Sequence, residues 1–138
     1  MSVSVVGMWE RGYFAPLEEE YMWEFMLVDF GVDDYWMHPI TGINRNFVKE
    51  KATLPEIFLE NSDKTIVWVD ERGTTDLKDY THPNNALYVF GKANYDLWTL
   101  HKEPEHESVK IPTSANLAYL WPHQACSIVL YDRLIKTG

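Results

Sequence analysis

Asp70 stands directly after the apolar run Thr65-Ile66-Val67-Trp68-Val69. A carboxylate held at a strand end could accept a ribose hydroxyl or face a cationic cofactor, although a solvated strand-end aspartate is the plainer reading. His123 and Cys126 lie three apart, the spacing of a base and a nucleophile on one helix face. Cys126 falls in an apolar stretch, however, so a buried inert thiol is the better reading. His38, His82, His101, His106 and His123 lack the spacing of a metal-binding helix, and the single cysteine cannot build a Cys-rich zinc site; no metal is expected. No glycine-rich phosphate cradle is present: Gly7 ends a strand without further glycines, and Gly91 stands alone. Glu18, Glu19 and Glu20 read as charge at a helix N-terminus, and Glu103, Glu105 and Glu107 as a solvated loop around Pro104. Trp9, Trp98 and Trp121 sit in or beside expected loops, where they could stack on a base or an adenine ring, or fill a dimer interface.

These groups need elements to hold them. The chain has 138 residues, 46% of them hydrophobic and 14% aromatic, enough to bury one core within a single domain spanning residues 1–138. Ser2 to Met8, with Val3, Val5 and Val6, predicts a buried strand. Pro16 opens a helix to about Phe30, with Leu17, Tyr21, Phe25 and Val28 as its apolar stripe, Met22 and Met26 widening it, and Gly31 as its stop. Tyr35-Trp36-Met37 is a short strand, His38 to Gly42 a turn, and residues 43 to 52 are ambiguous. Thr53 and Glu56 have the spacing of a capping box before a helix from Leu54 to about Glu60.

Further strands are predicted at 65–69, 86–90 and 108–111, each running into a polar or proline-bearing loop. A last helix runs from Trp121 to about Lys136, with Ala125, Ile128, Val129, Leu134 and Ile135 on its apolar side. Strands apolar on both faces and alternating with helices predict an α/β fold: a mostly parallel sheet of five or six strands with helices on both faces. Ligands of such sheets bind beyond the carboxyl ends of strands. That singles out the loops at 70–73, 91–96 and 112–120.

With 12 Lys and Arg against 21 Asp and Glu, the formal charge is −9, which repels a polyanion; any contact with RNA must be weak or local. One cysteine, and no secretory apolar region at the N-terminus, predict an intracellular, cytoplasmic protein. No apolar run approaches the roughly 20 residues of a spanning helix, so no membrane partner is expected.

Taken as one unit, Ala86-Leu87-Tyr88-Val89-Phe90-Gly91, then Val109-Lys110-Ile111-Pro112, then Leu120 leading into Ala125-Cys126-Ser127-Ile128-Val129-Leu130-Tyr131, resemble a known cofactor-binding segment. It is that of the SPOUT superfamily, the trefoil-knotted S-adenosylmethionine-dependent RNA methyltransferases, in its SpoU-type 2'-O-ribose branch. The front half is compatible, from the Pro16-led helix ending in Phe30-Gly31 to the strand ending in His38-Pro39. The resemblance thus covers nearly the whole chain. It implies a C-terminal trefoil knot, a rare exception to unthreaded chains, and an S-adenosylmethionine site on three loops. Val69 and Asp70 would belong to the first loop, Gly91 to the second, and Ile111, Pro112, Tyr119 and Leu120 to the third. Ile111 and Leu120 would wall the adenine, and Gly91 would let the backbone approach closely. RNA as substrate and a homodimer through the first and last helices are implied as well.

The departures from that pattern bear on catalysis. The family's first helix carries an Asn and an Arg, and counting back from Gly31 places Glu19 and Phe25 there. Ala93 replaces the Glu after the second-loop glycine, and Trp121 replaces the Asn of a Ser-Leu-Asn. Arg11, in the loop after the first strand, is the candidate substitute for the missing Arg in relieving the ribose hydroxyl of its proton. The alternative is a catalytically degenerate member, a cofactor-binding or dimeric interaction module.

Overall fold

The computed structural model describes residues 2–7, 16–38, 48–90, 96–115 and 120–137. Among these residues seven strands form one sheet: β1 (Ser2–Gly7), β2 (Asp34–Met37), β3 (Val48–Glu50), β4 (Thr65–Val69), β5 (Thr75–Asp76), β6 (Asn85–Val89) and β7 (Glu107–Lys110). Four helices accompany it: α1 (Pro16–Asp29), α2 (Leu54–Glu60), α3 (Leu97–His101) and α4 (Pro122–Thr137), with a single 3₁₀ turn at Leu77–Asp79. Every pairing is parallel, in the order β3-β2-β1-β6-β4-β7-β5.

The α/β class and parallel sheet are as the sequence predicts, but the strand count is seven instead of five or six. The two additional strands are β3, inside the ambiguous 43–52 stretch, and β5. They are the sheet's edges, three and two residues long, and carry Lys49, Glu50 and Asp76. Short, charged edges resist further pairing and leave no hydrophobic alternation to read.

Alternation along the inner strands sends side chains into two cores. Val5, Tyr35, Val67, Tyr88 and Val109 meet Trp23 and Leu27 of α1 and Cys126, Val129 and Leu130 of α4. On the opposite face Val6, Trp36, Trp68, Leu87 and Val89 meet Leu54 and Ile57 of α2 and Leu97 of α3. Helices therefore cover both faces.

Local signals set the helix limits. Gly31, at φ +68°, ends α1: its N–H donates to the Val28 carbonyl at 3.1 Å and that of Val32 to Leu27 at 3.0 Å, the paired bonds of a left-handed C-terminal cap. At α2 the capping box does not form. Thr53 occupies the N-cap position with no side-chain cap bond, and its Oγ1 donates to Glu56 Oε1 at 3.2 Å instead.

Each expected apolar stripe meets the core only in part: Met26 of α1 and Ala125 and Val129 of α4 pack against it as expected, and much of the rest faces outward. On α1, Tyr21, Phe25 and Val28 are exposed, Phe25 at 67%, while Trp23 and Leu27 are buried at 1% and 0%; the Leu17 side chain lies outside the described residues. From Tyr21 to Val28 every residue but Glu24 is apolar, so periodicity offers two candidate faces. The Trp23 ring, stacked on Tyr35 with centroids 5.0 Å apart, fixes which one turns inward. Glu18 and Glu19 stand in the first turn, as expected of helix N-terminal charge, while Glu19 and Glu20 turn inward with Trp23, at 1% and 2% exposure. On α4, Ile128, Leu134 and Ile135 are exposed, and Cys126, Val129, Leu130 and Arg133 take the core side.

Candidate functional site

The strand order makes neighbours of β6, β4 and β7, so their carboxyl ends lie side by side. Val69 ends β4 and Asp70 follows it, both half-buried. The Asp70 N–H donates to the Val109 carbonyl at 3.0 Å, and Gly73 N–H closes the turn on the Asp70 carbonyl at 2.9 Å. Gly73 lies so close to β7 that a Cβ built there would fall 2.3 Å from the Val109 carbonyl carbon; only glycine fits. Thr74 N–H then donates to Ser108 Oγ at 3.0 Å. The 70–74 loop is thus stitched along β7.

At the end of β7, Ile111 is half-buried against the α1–α4 core and Pro112 is exposed. At the end of β6, Phe90 is buried and its N–H donates to the Val6 carbonyl at 2.9 Å. Leu120 and Trp121 are half-buried just before α4, where the Trp121 N–H donates to Gln124 Oε1 at 2.9 Å. The structure therefore brings Val69, Asp70, Ile111 and Pro112 to the ends of the paired strands β4 and β7. Gly91, Tyr119 and Arg11 lie outside the described residues, as does Trp9.

Asp70 is committed to a neighbour. Its Oδ1 and Oδ2 accept from Arg72 Nε at 2.8 Å and Nη2 at 2.9 Å. Arg72 Nη2 also donates to Asp96 Oδ1 at 2.9 Å, and Arg72, followed by Thr99, holds the Asp96 carboxyl below the usual carboxylate range. The expected loop at 91–96 ends at Asp96, which caps α3 by accepting from Thr99 N–H. Trp98, expected beside a loop, is on α3 with its ring edge-on to Trp68. Arg72, Asp96 and α3 were not anticipated. The available signal was the sequence Asp70-Glu71-Arg72-Gly73, a charged turn directly behind a buried strand.

A second group of polar side chains lies under the end of β1. Gly7 faces the Trp23 ring edge and the Tyr35 hydroxyl, each 3.5 Å from where its Cβ would be, and His123 of α4 stands edge-on to Trp23 at 6.2 Å. Burial, then Cys126, Glu19 and Glu20, push the Tyr35 phenol well above its usual range, so it stays protonated. Glu19 thus sits inside, whereas Phe25, at the position expected for the arginine, points to solvent from the outer face of α1. Burial also raises the Cys126 thiol, matching an inert thiol.

Burial keeps several imidazoles neutral: His38, with His101 nearby, is pushed down to about 4, and His82, His106 and His123 are lowered. Among the described residues no group of three or more His, Cys, Asp or Glu side chains could hold a metal ion, and no helix is long and apolar enough to cross a membrane.

No protein-family model and no curated protein matches the sequence. Solved structures do match. A candidate RNA methyltransferase from Bacillus anthracis superposes with a TM-score of 0.74 at 14% identity, over 98% of this chain and 94% of that one. The SpoU methyltransferase AviRb from Streptomyces viridochromogenes, in complex with the cofactor AdoMet (S-adenosylmethionine), gives 0.73 at 15% identity, over 99% of this chain and 58% of that one. A structure described as an RNA 2'-O ribose methyltransferase gives 0.76 at 11% identity, over 99% and 57%. The chain thus spans nearly all of the Bacillus protein and under three-fifths of the other two. It has the fold of the SpoU-type RNA methyltransferases.

Proposed function

We propose that this chain binds S-adenosylmethionine at the carboxyl ends of β4, β6 and β7 and methylates the 2'-hydroxyl of an RNA ribose. The observation that carries this reading is that the carboxyl ends of β6, β4 and β7 are neighbours, in a fold whose AviRb example holds that cofactor. The residues present fit such a ligand: Val69, Ile111 and Leu120 are half-buried apolar groups suited to walling an adenine, and the Gly73 turn keeps the first loop close to β7. Gly91 would let the second loop approach, and Pro112 and Tyr119 would complete the third. When bound, the cofactor supplies an electrophilic methyl group on sulfur. The chain's part is to orient the acceptor oxygen and relieve its proton, and Arg11 is the residue we assign to that step.

A trefoil knot, with the C-terminal helix threaded through a loop, belongs to the same proposal, as does a cytoplasmic homodimer. Supporting the dimer, Phe25 and Val28 of α1 and Tyr131, Leu134 and Ile135 of α4 are all more than half exposed on helices that pack together, an apolar area of the kind that marks an interface. With a net charge of −9, the RNA contact would be local and only modestly salt-dependent. A second reading, a cofactor-binding interaction module without catalysis, is favoured by the outward Phe25 and the buried Glu19.

Calorimetric titration with S-adenosylmethionine and S-adenosylhomocysteine tests the site, with Gly91→Trp as the blocked control. Saturable binding lost in the control supports it; no uptake at millimolar ligand overturns it. Labelled methyl transfer to RNA, abolished in Arg11→Ala, separates the enzyme from the interaction module.

A further inference from the structure

The loop after β4 and the start of α3 are joined by one side chain. Arg72 makes four guanidinium contacts to carboxylates: Nε and Nη2 to the two oxygens of Asp70 at 2.8 and 2.9 Å, and Nη2 and Nη1 to those of Asp96 at 2.9 and 3.3 Å. Its Cζ lies 5.0 Å from the Trp98 ring centroid. Trp98 in turn packs edge-on against Trp68 of β4 at 6.0 Å, and Trp68 Nε1 donates to His106 Nδ1 at 3.0 Å. The guanidinium is therefore fixed by carboxylates on two edges and an indole beside it, a planar arrangement that an ammonium cannot copy.

Exposed ion pairs of this kind add little to stability, because water and salt screen them. What this one does is set a distance. Asp70 is the first residue after β4, and Asp96 is the N-cap of α3. The 70–74 loop is already sewn to β7 on its other side through Asp70, Thr74 and the Gly73 approach. Arg72 supplies the matching tie toward α3. We infer that Arg72 is a positioning residue, a clasp that holds the 70–74 loop and the N-terminus of α3 at a fixed separation before any ligand arrives. The inference rests on the S-adenosylmethionine reading of this site. A clasped mouth has less ordering to complete on binding, so affinity is where it acts.

Asp96 also caps α3, and the two roles separate by substitution: asparagine is an equally good cap but carries no charge for Arg72. Arg72→Ala, Arg72→Lys and Asp96→Asn are compared with the unaltered chain by calorimetric titration with S-adenosylhomocysteine. Amide hydrogen exchange over 70–74 and 96–101 is followed without ligand, with the thermal midpoint as control. All three variants are expected to bind about tenfold more weakly, equivalent to about 1.4 kcal/mol, with faster exchange over 70–74 and little change in midpoint. Because Asp96, or asparagine in its place, still caps α3, exchange over 97–101 should change little in all three. Unaltered exchange in Arg72→Ala overturns the clasp, and faster exchange with unaltered affinity overturns its part in the site. If the unaltered chain takes up no ligand, the cofactor reading falls, and the exchange data alone decide whether the clasp exists.

Discussion

His82 and Tyr88 share a 2.7 Å hydrogen bond in the core, at the end of the sheet opposite the candidate site. Arg133 Nη1 donates to the Tyr88 oxygen at 3.0 Å, which leaves the phenolic proton for His82 Nδ1. His82 Nε2 then donates to Asp132 Oδ2 at 2.7 Å. The donation from Tyr88 to Nδ1 requires a neutral imidazole.

The first prediction follows from that order of protons. Burial lowers the His82 pKa below its ordinary 6.5, outweighing the Asp132 carboxylate, with Arg133 and Lys136 adding to the lowering. Between the folded and unfolded values the unfolded chain binds more protons. Stability present above about pH 6.5 is therefore lost as pH falls through the folded pKa. Calorimetric melting should show a falling midpoint on acidification, and His82→Gln should flatten that slope. It should not abolish it, because His38, His106 and His123 are shifted in the same direction.

Arg133 anchors α4 to the segment before β6. It is buried at 5% exposure, and besides Tyr88 it donates to the Pro83 carbonyl at 2.7 Å and the Asn84 carbonyl at 3.0 Å. Arg133→Met keeps most of the stem but strands these acceptors, each costing on the order of 1–3 kcal/mol when left unsatisfied. Urea unfolding should register a loss of about 3 kcal/mol, and an unchanged midpoint would show that water replaces the guanidinium.

Gly73 and Gly31 should respond to alanine for different reasons. At Gly73 the new methyl meets the Val109 and Lys110 backbone, so the loop must move; we expect about 1–3 kcal/mol of destabilisation together with loss of S-adenosylhomocysteine binding. At Gly31 there is open space, but the backbone is at φ +68°, and the cost is about 1–2 kcal/mol with binding untouched. Titration and melting on the two variants check the contrast.

The outer face of α1 and α4 gives the fourth. Phe25→Glu and Leu134→Glu alter side chains that are 67% and 55% exposed, so the fold should survive either change. Sedimentation is expected to show a dimer converted to monomer at micromolar concentration. A monomeric unaltered chain would remove the proposed homodimer.

Legibility in the sequence followed burial. The strands at 65–69 and 86–90 could be read within a residue because Ile66 to Val69 and Ala86 to Phe90 are apolar on both faces of a covered sheet. Gly31 and Pro16 marked the limits of α1 because their backbone constraints are local. The facing of α1 could not be read, since Tyr21, Phe25 and Val28 are as apolar as Trp23 and Leu27, and tertiary packing chooses between them. Of the candidate site, Val69, Asp70, Ile111 and Pro112 could be placed at strand ends, because strand ends are where the polar loops begin. The tie between Arg72 and Asp96 spans 24 residues and is set by which strands become neighbours, which no local pattern encodes.

That neighbour order also governs how the chain can be made. β6 enters between β1 and β4, and β7 between β4 and β5, so each late strand fills a gap left by earlier ones. A nascent chain that has emerged only as far as Tyr80 holds a β1-β2-β3 ribbon, plus β4 and β5 with no partner on either side. The ribosome therefore cannot deliver this protein in finished pieces: the sheet closes only once the last third is out, and until then Val67 and Trp68 need shelter from other nascent chains.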